Sequence, residues 1–169
     1  MALTRQDSFL ALHEAFKPRV LGYVRRRISS DQTAEEIAAD VFRIAWQKRD
    51  SDPDPSIGWL LNVARNLIGN EYRSRARSAQ LQDRLRDSEA LKCQGGDDDG
   101  ARVTIAEALA RLREKDREIL QLTYWEELTL ADIAEVLSCK EATARVRLHR
   151  ARKSFEKALP PRLRNTGRD

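Results

Sequence analysis

The chain has 169 residues, 41% hydrophobic and 34% charged, with a formal net charge of +4. This length allows one domain of ordinary size or two small ones, and the apolar content supports only a modest core. No window approaches the roughly 18 consecutive apolar residues that a membrane-spanning helix needs. The N-terminus lacks the apolar stretch of a signal peptide. We therefore expect a cytoplasmic protein without membrane insertion.

The charges are unevenly distributed along the sequence. Residues 140–164 contain nine basic residues against two acidic ones, and residues 59–79 contain four against one. Residues 31–54 reverse the balance, with seven acidic residues against three basic ones. Clustered positive charge is typical of segments that bind a polyanion. The two basic segments therefore predict contacts with nucleic acid, and the acidic segment predicts a different partner.

The first helices are predicted by hydrophobic residues that recur at three- and four-residue steps between Phe9 and Ile28. Pro18 interrupts this pattern. Proline fits the first turn of a helix better than its interior, because it lacks the N–H that an interior position donates. The sequence therefore predicts that a new helix begins at Pro18.

Capping residues predict where the next two helices begin. Ser30 or Asp31 can cap a helix that continues to Trp46. A loop rich in Pro and Asp follows, and Ser56 is then expected to cap a long helix that ends before Gln80.

The helical periodicity fades after residue 80, and residues 94–100 contain Gly and Asp in a pattern typical of a linker. We expect an all-α protein of two small helical domains joined by a flexible linker. The first domain is predicted at residues 1–79, the acidic linker at 80–100, the second domain at 101–159 and a frayed tail at 160–169.

Residues 128–153 predict a helix-turn-helix. Thr129 is expected to cap its first helix, with Asp132 completing a capping box. Either Val146 or Leu148 of the second helix should join the core. In such motifs the second helix lies in the major groove of DNA and its flanks contact phosphates.

The second helix carries the residue types that read DNA. Arginine can bind guanine through two hydrogen bonds, and a small apolar group can contact the thymine methyl. Other basic side chains there would contact phosphates, which position the protein without specifying sequence. The candidate major-groove residues are Thr143, Arg145, Val146, Arg147, His149, Arg150 and Lys153.

Enzymatic and metal-dependent functions are not supported by the sequence. Cys93 and Cys139 lie in no CxxC motif and have no His at ligand spacing, so we expect no metal ion or cofactor. His149 lies in a charged helix without a nucleophile or an acid that would suggest catalysis. Cys139 is expected to be half-buried, and nothing indicates a redox pair.

The N-terminal half resembles region 2 of bacterial RNA polymerase sigma factors of the small extracytoplasmic-function (ECF) type. The resemblance is carried by AEEIAADVFRIAW at residues 34–46, by WLLNVARN at residues 59–66, and by Asn70 and Arg73.

The C-terminal half resembles region 4 of the same family. It contains Leu109 and Leu112, REILQL at residues 117–122, and TARVRLHRAR at residues 143–152. Ser138 stands where the family usually has glycine. The two sets of motifs cover nearly the whole chain apart from the linker and the tail. They imply a transcription initiation factor, not an enzyme.

The resemblance implies two contacts with promoter DNA. The helix-turn-helix would read the minus-thirty-five element as duplex. Region 2 would capture the melted non-template strand of the minus-ten element, with Asn66 and the loop at residues 48–55 lining a pocket for a flipped base. Trp59 could stack on a base or belong to the core. The implied single-strand residues are Lys48, Arg65, Asn66, Asn70, Arg73 and Arg77.

The resemblance also implies protein partners. Core RNA polymerase would be bound through the clamp and the flap of its largest subunits, with Glu35, Glu36, Asp40 and Phe42 as candidate clamp contacts. The alternative interpretation is that any one of these acidic residues belongs to an ordinary solvated surface. An anti-sigma factor is a further implied partner. In the linker, residues 97–99 could mimic RNA phosphates inside the polymerase or belong to a plain tether.

Two other functions remain open at this point. A free-standing helix-turn-helix regulator would bind duplex DNA as a dimer and would not need the acidic helix. A docking or sequestration module would bind polymerase or an anti-sigma factor without supporting promoter-dependent transcription.

Overall fold

The computed structural model describes residues 5–82 and 100–164, and all regular secondary structure in these ranges is helical. The expected all-α fold is confirmed. Residues 83–99, which include Cys93, residues 97–99 and most of the expected linker, lie outside the described residues. The helices are α1 (Arg5–Arg25), α2 (Asp31–Lys48), α3 (Ile57–Gln82), α4 (Gly100–Ala110), α5 (Glu114–Tyr124), α6 (Leu130–Val136) and α7 (Glu141–Ala158), followed by a 3₁₀ turn (Pro161–Leu163).

Helix α1 is continuous through Pro18, so the prediction that a new helix begins there is wrong. A proline inside a helix removes one hydrogen bond and crowds the preceding turn, at a cost of about 3 kcal/mol. The burial of hydrophobic side chains before and after the proline offsets this cost. Leu12 precedes it in the core, and Val20 and Val24 follow it with no exposed surface. Core packing therefore overrides the local preference of the proline.

The predicted caps at Ser30 and Ser56 are present. The Ser30 hydroxyl accepts a hydrogen bond from the backbone N–H of Thr33 at 3.2 Å. The Ser56 hydroxyl accepts one from the N–H of Trp59 at 3.0 Å. These bonds satisfy amide groups that the first turn of a helix leaves free. Helix α3 ends at Gln82, slightly beyond the predicted end.

The helix-turn-helix comprises α6 and α7. Thr129 and Asp132 form the predicted capping box at the start of α6. Leu148 is buried and joins the core, whereas Val146 is 49% exposed. The inward stripe of α7 consists of Ala144, Leu148 and Ala151, at helical spacing. The opposite face of α7 is left to solvent.

The tail was expected to be frayed, but its first residues, as far as Arg164, are folded against the end of α7. The 3₁₀ turn follows α7 directly, and the Arg164 guanidinium donates to the carbonyls of Leu159 at 2.8 Å and Lys157 at 2.9 Å. Proline cannot extend α7, but the arginine satisfies carbonyls near the end of that helix. Residues 165–169 are outside the described ranges.

The two halves of the chain pack against each other. Helices α1–α3 form one bundle, α4–α7 form the other, and α3 lies along α6 so that one hydrophobic core runs through both. The two helices approach each other closely at Gly58. A Cβ atom at this position would lie 2.9 Å from the carbonyl oxygen of Asp132, closer than real Cβ contacts come. Glycine therefore permits α3 and α6 to meet here.

Candidate nucleic-acid interfaces

The outer face of α7 presents every candidate residue for duplex DNA. Because Ala144, Leu148 and Ala151 take the inward positions, the other side chains between residues 141 and 153 are exposed to solvent. Arg145 is 67% exposed. Its Nη2 atom forms an ion pair with Oε1 of Glu141, one helical turn earlier, at 3.1 Å. The exposed candidates are Thr143, Arg145, Val146, Arg147, His149, Arg150 and Lys153.

Three of these residues also line a basic groove of about 1370 Å³. Arg147, Arg150 and Lys153 lie on its α7 wall, together with Lys157. Basic residues from the α4–α5 region and from the tail complete the lining, and only two carboxylates oppose them. Walls of one charge sign concentrate the electrostatic field in such a groove and attract anions. The other basic lining residues are Arg111, Arg113, Lys115, Arg162 and Arg164.

Arg152 is a further basic residue of α7, and it has a partner within the protein. Its Nε atom donates to the hydroxyl of Tyr124 at 2.9 Å, and its guanidinium carbon lies 5.7 Å from the centre of the Tyr124 ring. Arg152 therefore connects α7 to the end of α5.

Three of the candidate single-strand residues come together beside a second cavity, of about 770 Å³, between the two halves of the chain. Arg65, Asn66 and Arg73 line it from α3, and Glu118 lines it from α5. Arg65 is already engaged, since its Nε and Nη2 atoms donate to Glu118 at 2.6 and 3.1 Å. These hydrogen bonds to Glu118 raise the pKa of Arg65, because they favour its charged form.

The other single-strand candidates lie elsewhere on the first half. Lys48 approaches the ring of Trp59, with its Nζ atom 5.7 Å from the ring centre. Asn70 accepts a hydrogen bond from Arg73, and Arg77 donates to the Arg73 carbonyl at 3.3 Å. Trp59 is half-buried and packs against the core.

Asn66 is exposed and donates to the side-chain oxygen of Asn62, one turn earlier on α3, at 3.2 Å. The loop at residues 48–55 provides none of the lining of the cavity beside Asn66. The structure therefore does not bring Lys48 and Asn66 to one common pocket in this conformation.

The acidic face of α2 is open to solvent. Glu35 pairs with Arg25 at 3.2 Å, and Asp40 pairs with Arg43 at 3.0 Å. Glu36 accepts a hydrogen bond from Gln32 at 3.1 Å. These pairs are exposed, so their carboxylates remain accessible to another cationic partner.

Phe42 does not belong to this acidic face. Its side chain is 4% exposed, and its ring packs edge-on against His13 with the ring centres 4.6 Å apart. The expectation that Phe42 contacts a partner directly is therefore corrected: it supports α2 from inside the core.

Several residues that connect the two halves were not singled out from the sequence. Glu126 is buried and paired with Arg26, and the amide of Asn62 lies 2.8 Å from the carbonyl oxygen of Val136. Their partners are more than 70 residues away in sequence, so no local pattern identifies them. A glycine at the start of a helix, as at Gly58, was the available signal of close packing.

The described residues contain no cluster of His, Cys, Asp or Glu able to hold a metal ion. Among their helices, none is both long and apolar enough to cross a membrane. Cys139 is a free, half-buried thiol, as expected.

Comparison with known proteins identifies the two halves. The family model described as Sigma-70 region 2 matches residues 12–78, and the model described as Sigma-70, region 4 matches residues 102–155. The two matches therefore occur in the order that the sequence motifs predicted.

The chain is also similar to curated proteins over nearly its whole length. It is 30% identical to the ECF RNA polymerase sigma factor SigL of Mycobacterium tuberculosis over 155 residues, covering 88% of this chain and 87% of SigL. It is 27% identical to the ECF RNA polymerase sigma factor SigW of Bacillus subtilis over 168 residues, covering 91% and 90%.

Two solved structures share the fold. One is the sigma factor RpoE in complex with the anti-sigma factor NepR from Bartonella quintana, with a TM-score of 0.63, 22% identity and coverage of 89% of this chain and 95% of that one. The other is CnrH in complex with the cytosolic domain of CnrY, with a TM-score of 0.59, 25% identity and coverage of 88% and 85%. From the two ordered regions and the near full-length relatives, we conclude that the chain belongs to the sigma-70 family of RNA polymerase sigma factors, in its ECF group.

Proposed function

We propose that this sigma factor directs core RNA polymerase to specific promoters and promotes their melting by capturing the non-template strand of the minus-ten element. Membership of the family establishes that the protein is a transcription initiation factor that binds RNA polymerase. The observation that carries the proposed promoter recognition is the division of α7 into a buried alanine–leucine stripe and an exposed basic face. The two promoter-binding domains are proposed at residues 1–79 and 101–159.

The minus-thirty-five element is assigned to α7. Arg145 and Arg150 are exposed and can donate two hydrogen bonds each to a guanine edge. Thr143, Val146 and His149 lie on the same helix and can contact neighbouring bases. Arg147 and Lys153 line the basic groove and suit phosphates, which would lie along its walls.

The minus-ten element is assigned to α3. Asn66 offers both a donor and an acceptor to the edge of an extruded base. Capture of the extruded base would offset the few kcal/mol that its unstacking and unpairing cost. Arg65, Arg73 and Arg77 suit the backbone of the melted strand. Asn70, which contacts Arg73, and Lys48 complete the proposed set.

Polymerase binding is assigned to the acidic face of α2, where Glu35, Glu36 and Asp40 are accessible. These carboxylates would meet basic residues on the clamp of the polymerase, and region 4 would contact the flap. Electrostatic complementarity of this kind accelerates encounter and selects the partner more than it strengthens binding.

An anti-sigma factor is the proposed regulatory partner. Of the two structures that share the fold, RpoE was solved in complex with the anti-sigma factor NepR, and CnrH in complex with the cytosolic domain of CnrY. A chain with the same fold offers a similar surface for such a partner.

The test is run-off transcription with bacterial core polymerase on fragmented DNA from the organism's own genome, with and without the protein. Discrete transcripts that require the protein would support promoter-directed initiation, and their upstream sequences would give both elements. Polymerase binding without transcripts would instead indicate a docking or sequestration module. If neither binding nor transcripts were found, a free-standing DNA-binding regulator would replace the proposal.

A further inference from the structure

We propose that the cavity of about 770 Å³ between the two halves of the chain binds a nucleoside polyphosphate. Binding sites for small molecules have volumes of about 300–1,000 Å³. One wall of the cavity comes from the first half of the chain and the other from α5. The binding requires neither polymerase nor DNA, so it does not depend on the proposed function.

Basic side chains dominate the walls of the cavity. Six arginine and lysine residues line it, against two carboxylates. Three of the six are already paired with glutamates. The other three form no ion pair with any described residue: Arg73, Lys115 and Arg117. Their charges are therefore available to an anionic ligand.

Arg117 is held in place by the backbone rather than by a carboxylate. Its guanidinium group donates to the carbonyl oxygens of Leu109, Ala110 and Leu112, near the end of α4, at 2.9–3.1 Å. Neutral carbonyls orient the guanidinium group without cancelling its charge. Guanidinium groups bind phosphate through charge-assisted hydrogen bonds, so this wall favours a phosphate-bearing ligand.

Two polar atoms in the walls have no partner. The Tyr23 hydroxyl and the Nη2 atom of Arg27 are buried and make no hydrogen bond within the described part of the chain. Both residues line the cavity. A buried polar group without a partner is unfavourable. Phosphate oxygens would offer acceptors to both groups.

Groups that bind a nucleobase line the same cavity. Tyr72 is 53% exposed, and its hydroxyl donates to the carbonyl oxygen of Arg27, which holds the ring in place. An aromatic ring of this kind can stack on a base. Asn66 and Gln121 contribute side-chain amides, which carry donors and an acceptor for the edge of a base.

The basic groove along α7 lacks these groups. The described residues that line it include no aromatic ring and no side-chain amide. A phosphate chain could bind in the groove, but a nucleobase would find no stacking partner there. The structure therefore favours the cavity between the halves for a ligand that carries both a base and phosphates.

A ligand in the cavity contacts both halves of the chain. Tyr72 and Arg73 belong to α3, whereas Lys115 and Gln121 belong to α5. A ligand that needs both walls stabilises, by mass action, the arrangement in which they are adjacent. Its binding would therefore oppose any partner that separates α5 from α3.

Direct binding is the first test. Isothermal titration calorimetry of the full chain would compare ATP and GTP with inorganic triphosphate. At least one of the two nucleotides should bind at one site per chain, about tenfold more tightly than inorganic triphosphate, because the base adds stacking. Equal affinity for all three anions, or no binding of either nucleotide, would overturn the inference.

Two arginine variants locate the ligand. Arg73→Gln and Arg111→Gln each remove one exposed guanidinium group, but Arg73 lines only the cavity and Arg111 only the groove along α7. Arg73→Gln should weaken nucleotide binding about tenfold, the loss expected for one charged hydrogen bond. Arg111→Gln should leave it unchanged. Equal losses, or the reverse pattern, would place the ligand outside the cavity and overturn the inference.

Variants of Tyr72 test the contact with the base by a change that leaves the charge unaltered. Tyr72→Leu should weaken nucleotide binding about tenfold and leave the binding of inorganic triphosphate unchanged, whereas Tyr72→Phe keeps the ring and should retain most of the affinity. The side chain is exposed, so both variants should fold, and circular dichroism during thermal melting checks this. Unchanged nucleotide affinity in folded Tyr72→Leu would overturn the proposed nucleoside site.

Discussion

Arg26 and Glu126, one hundred residues apart, form an ion pair in which Nη2 of Arg26 lies 2.7 Å from each carboxylate oxygen. The Glu126 side chain is 4% exposed, and Arg27 approaches the same carboxylate at 3.5 Å. Arg19 donates to the backbone carbonyl of Glu126 at 2.9 Å. A single glutamate of the C-terminal half is thus held by three arginines, Arg19 of α1 and Arg26 and Arg27 of the turn that follows it.

Glu126→Gln should lower the free energy of unfolding by about 2 kcal/mol. Removing one member of a buried pair costs about 3–5 kcal/mol, and the partly exposed Arg26 can recover some of this by hydration. Urea denaturation at neutral pH measures the change. Glu127→Gln, at the exposed neighbouring position, should have almost no effect. Equal effects of the two substitutions would show that the buried pair contributes no net stability.

Tyr23 should make the stability of the protein depend on pH in the alkaline range. Burial raises the pKa of Tyr23 from 10.0 to about 12, while the nearby Arg27 acts to lower it. Between these values the unfolded chain loses the phenolic proton and the folded chain keeps it. The contribution of this group is therefore complete below pH 10 and is lost by about pH 12, a decrease of about 2–3 kcal/mol.

Tyr23→Phe should remove this dependence. The Tyr23 hydroxyl is buried and makes no hydrogen bond within the described part of the chain. The variant should therefore be as stable as the parent at neutral pH or up to about 1 kcal/mol more stable. Unfolding free energies measured from pH 9 to pH 11.5 decide the matter. The same alkaline slope in both proteins would assign it to other groups.

Glu127→Gly should raise the melting temperature. Glu127 has a φ of 51°, in the left-handed region that costs an L-residue about 1–2 kcal/mol. Glycine avoids this cost but adds freedom to the unfolded chain, so the expected net gain is about 0.5–1 kcal/mol. Ser138 has the same φ, but its hydroxyl accepts a hydrogen bond from Asn62. Ser138→Gly should therefore gain less, and calorimetry of both variants checks the order.

Arg145→Ala and Arg150→Ala should each weaken promoter recognition at particular base pairs, by about 1–3 kcal/mol. Arg147→Ala should weaken binding to all sequences about equally, because we assign Arg147 to a phosphate and a phosphate contact does not specify sequence. Holoenzyme binding to promoters with single substitutions in the upstream element separates the two patterns. Uniform weakening by Arg145→Ala or Arg150→Ala would reassign that residue to a phosphate contact.

Asn66→Ala should impair promoter melting more than formation of the closed complex, because a flipped base is available only after strand separation. Fluorescence of 2-aminopurine in the minus-ten element follows melting, and filter binding at low temperature follows the closed complex. Losses of equal size in both steps would argue against a base pocket at Asn66.

Local sequence patterns were sufficient to predict most of the helices and their caps. Ser30, Ser56 and Thr129 cap helices as predicted, since a cap requires only a hydroxyl and an amide three residues later. Periodicity placed the helix-turn-helix but left Val146 and Leu148 as alternatives for the core. The prediction that a helix begins at Pro18 was wrong. The free energy gained by burying Val20 and Val24 in the folded bundle outweighs the local preference of proline for a helix start.

The sequence by itself therefore determined the all-helical architecture, the helix-turn-helix and the family, because these depend on spacings within one segment or on ordered motifs. Only the tertiary structure decided that Glu126 is buried, that Asn62 caps α6 and that Gly58 lies against Asp132. Contacts of this kind join residues 70 to 100 positions apart. They depend on how the two halves pack, and an exposed glutamate and a buried one have the same local sequence pattern.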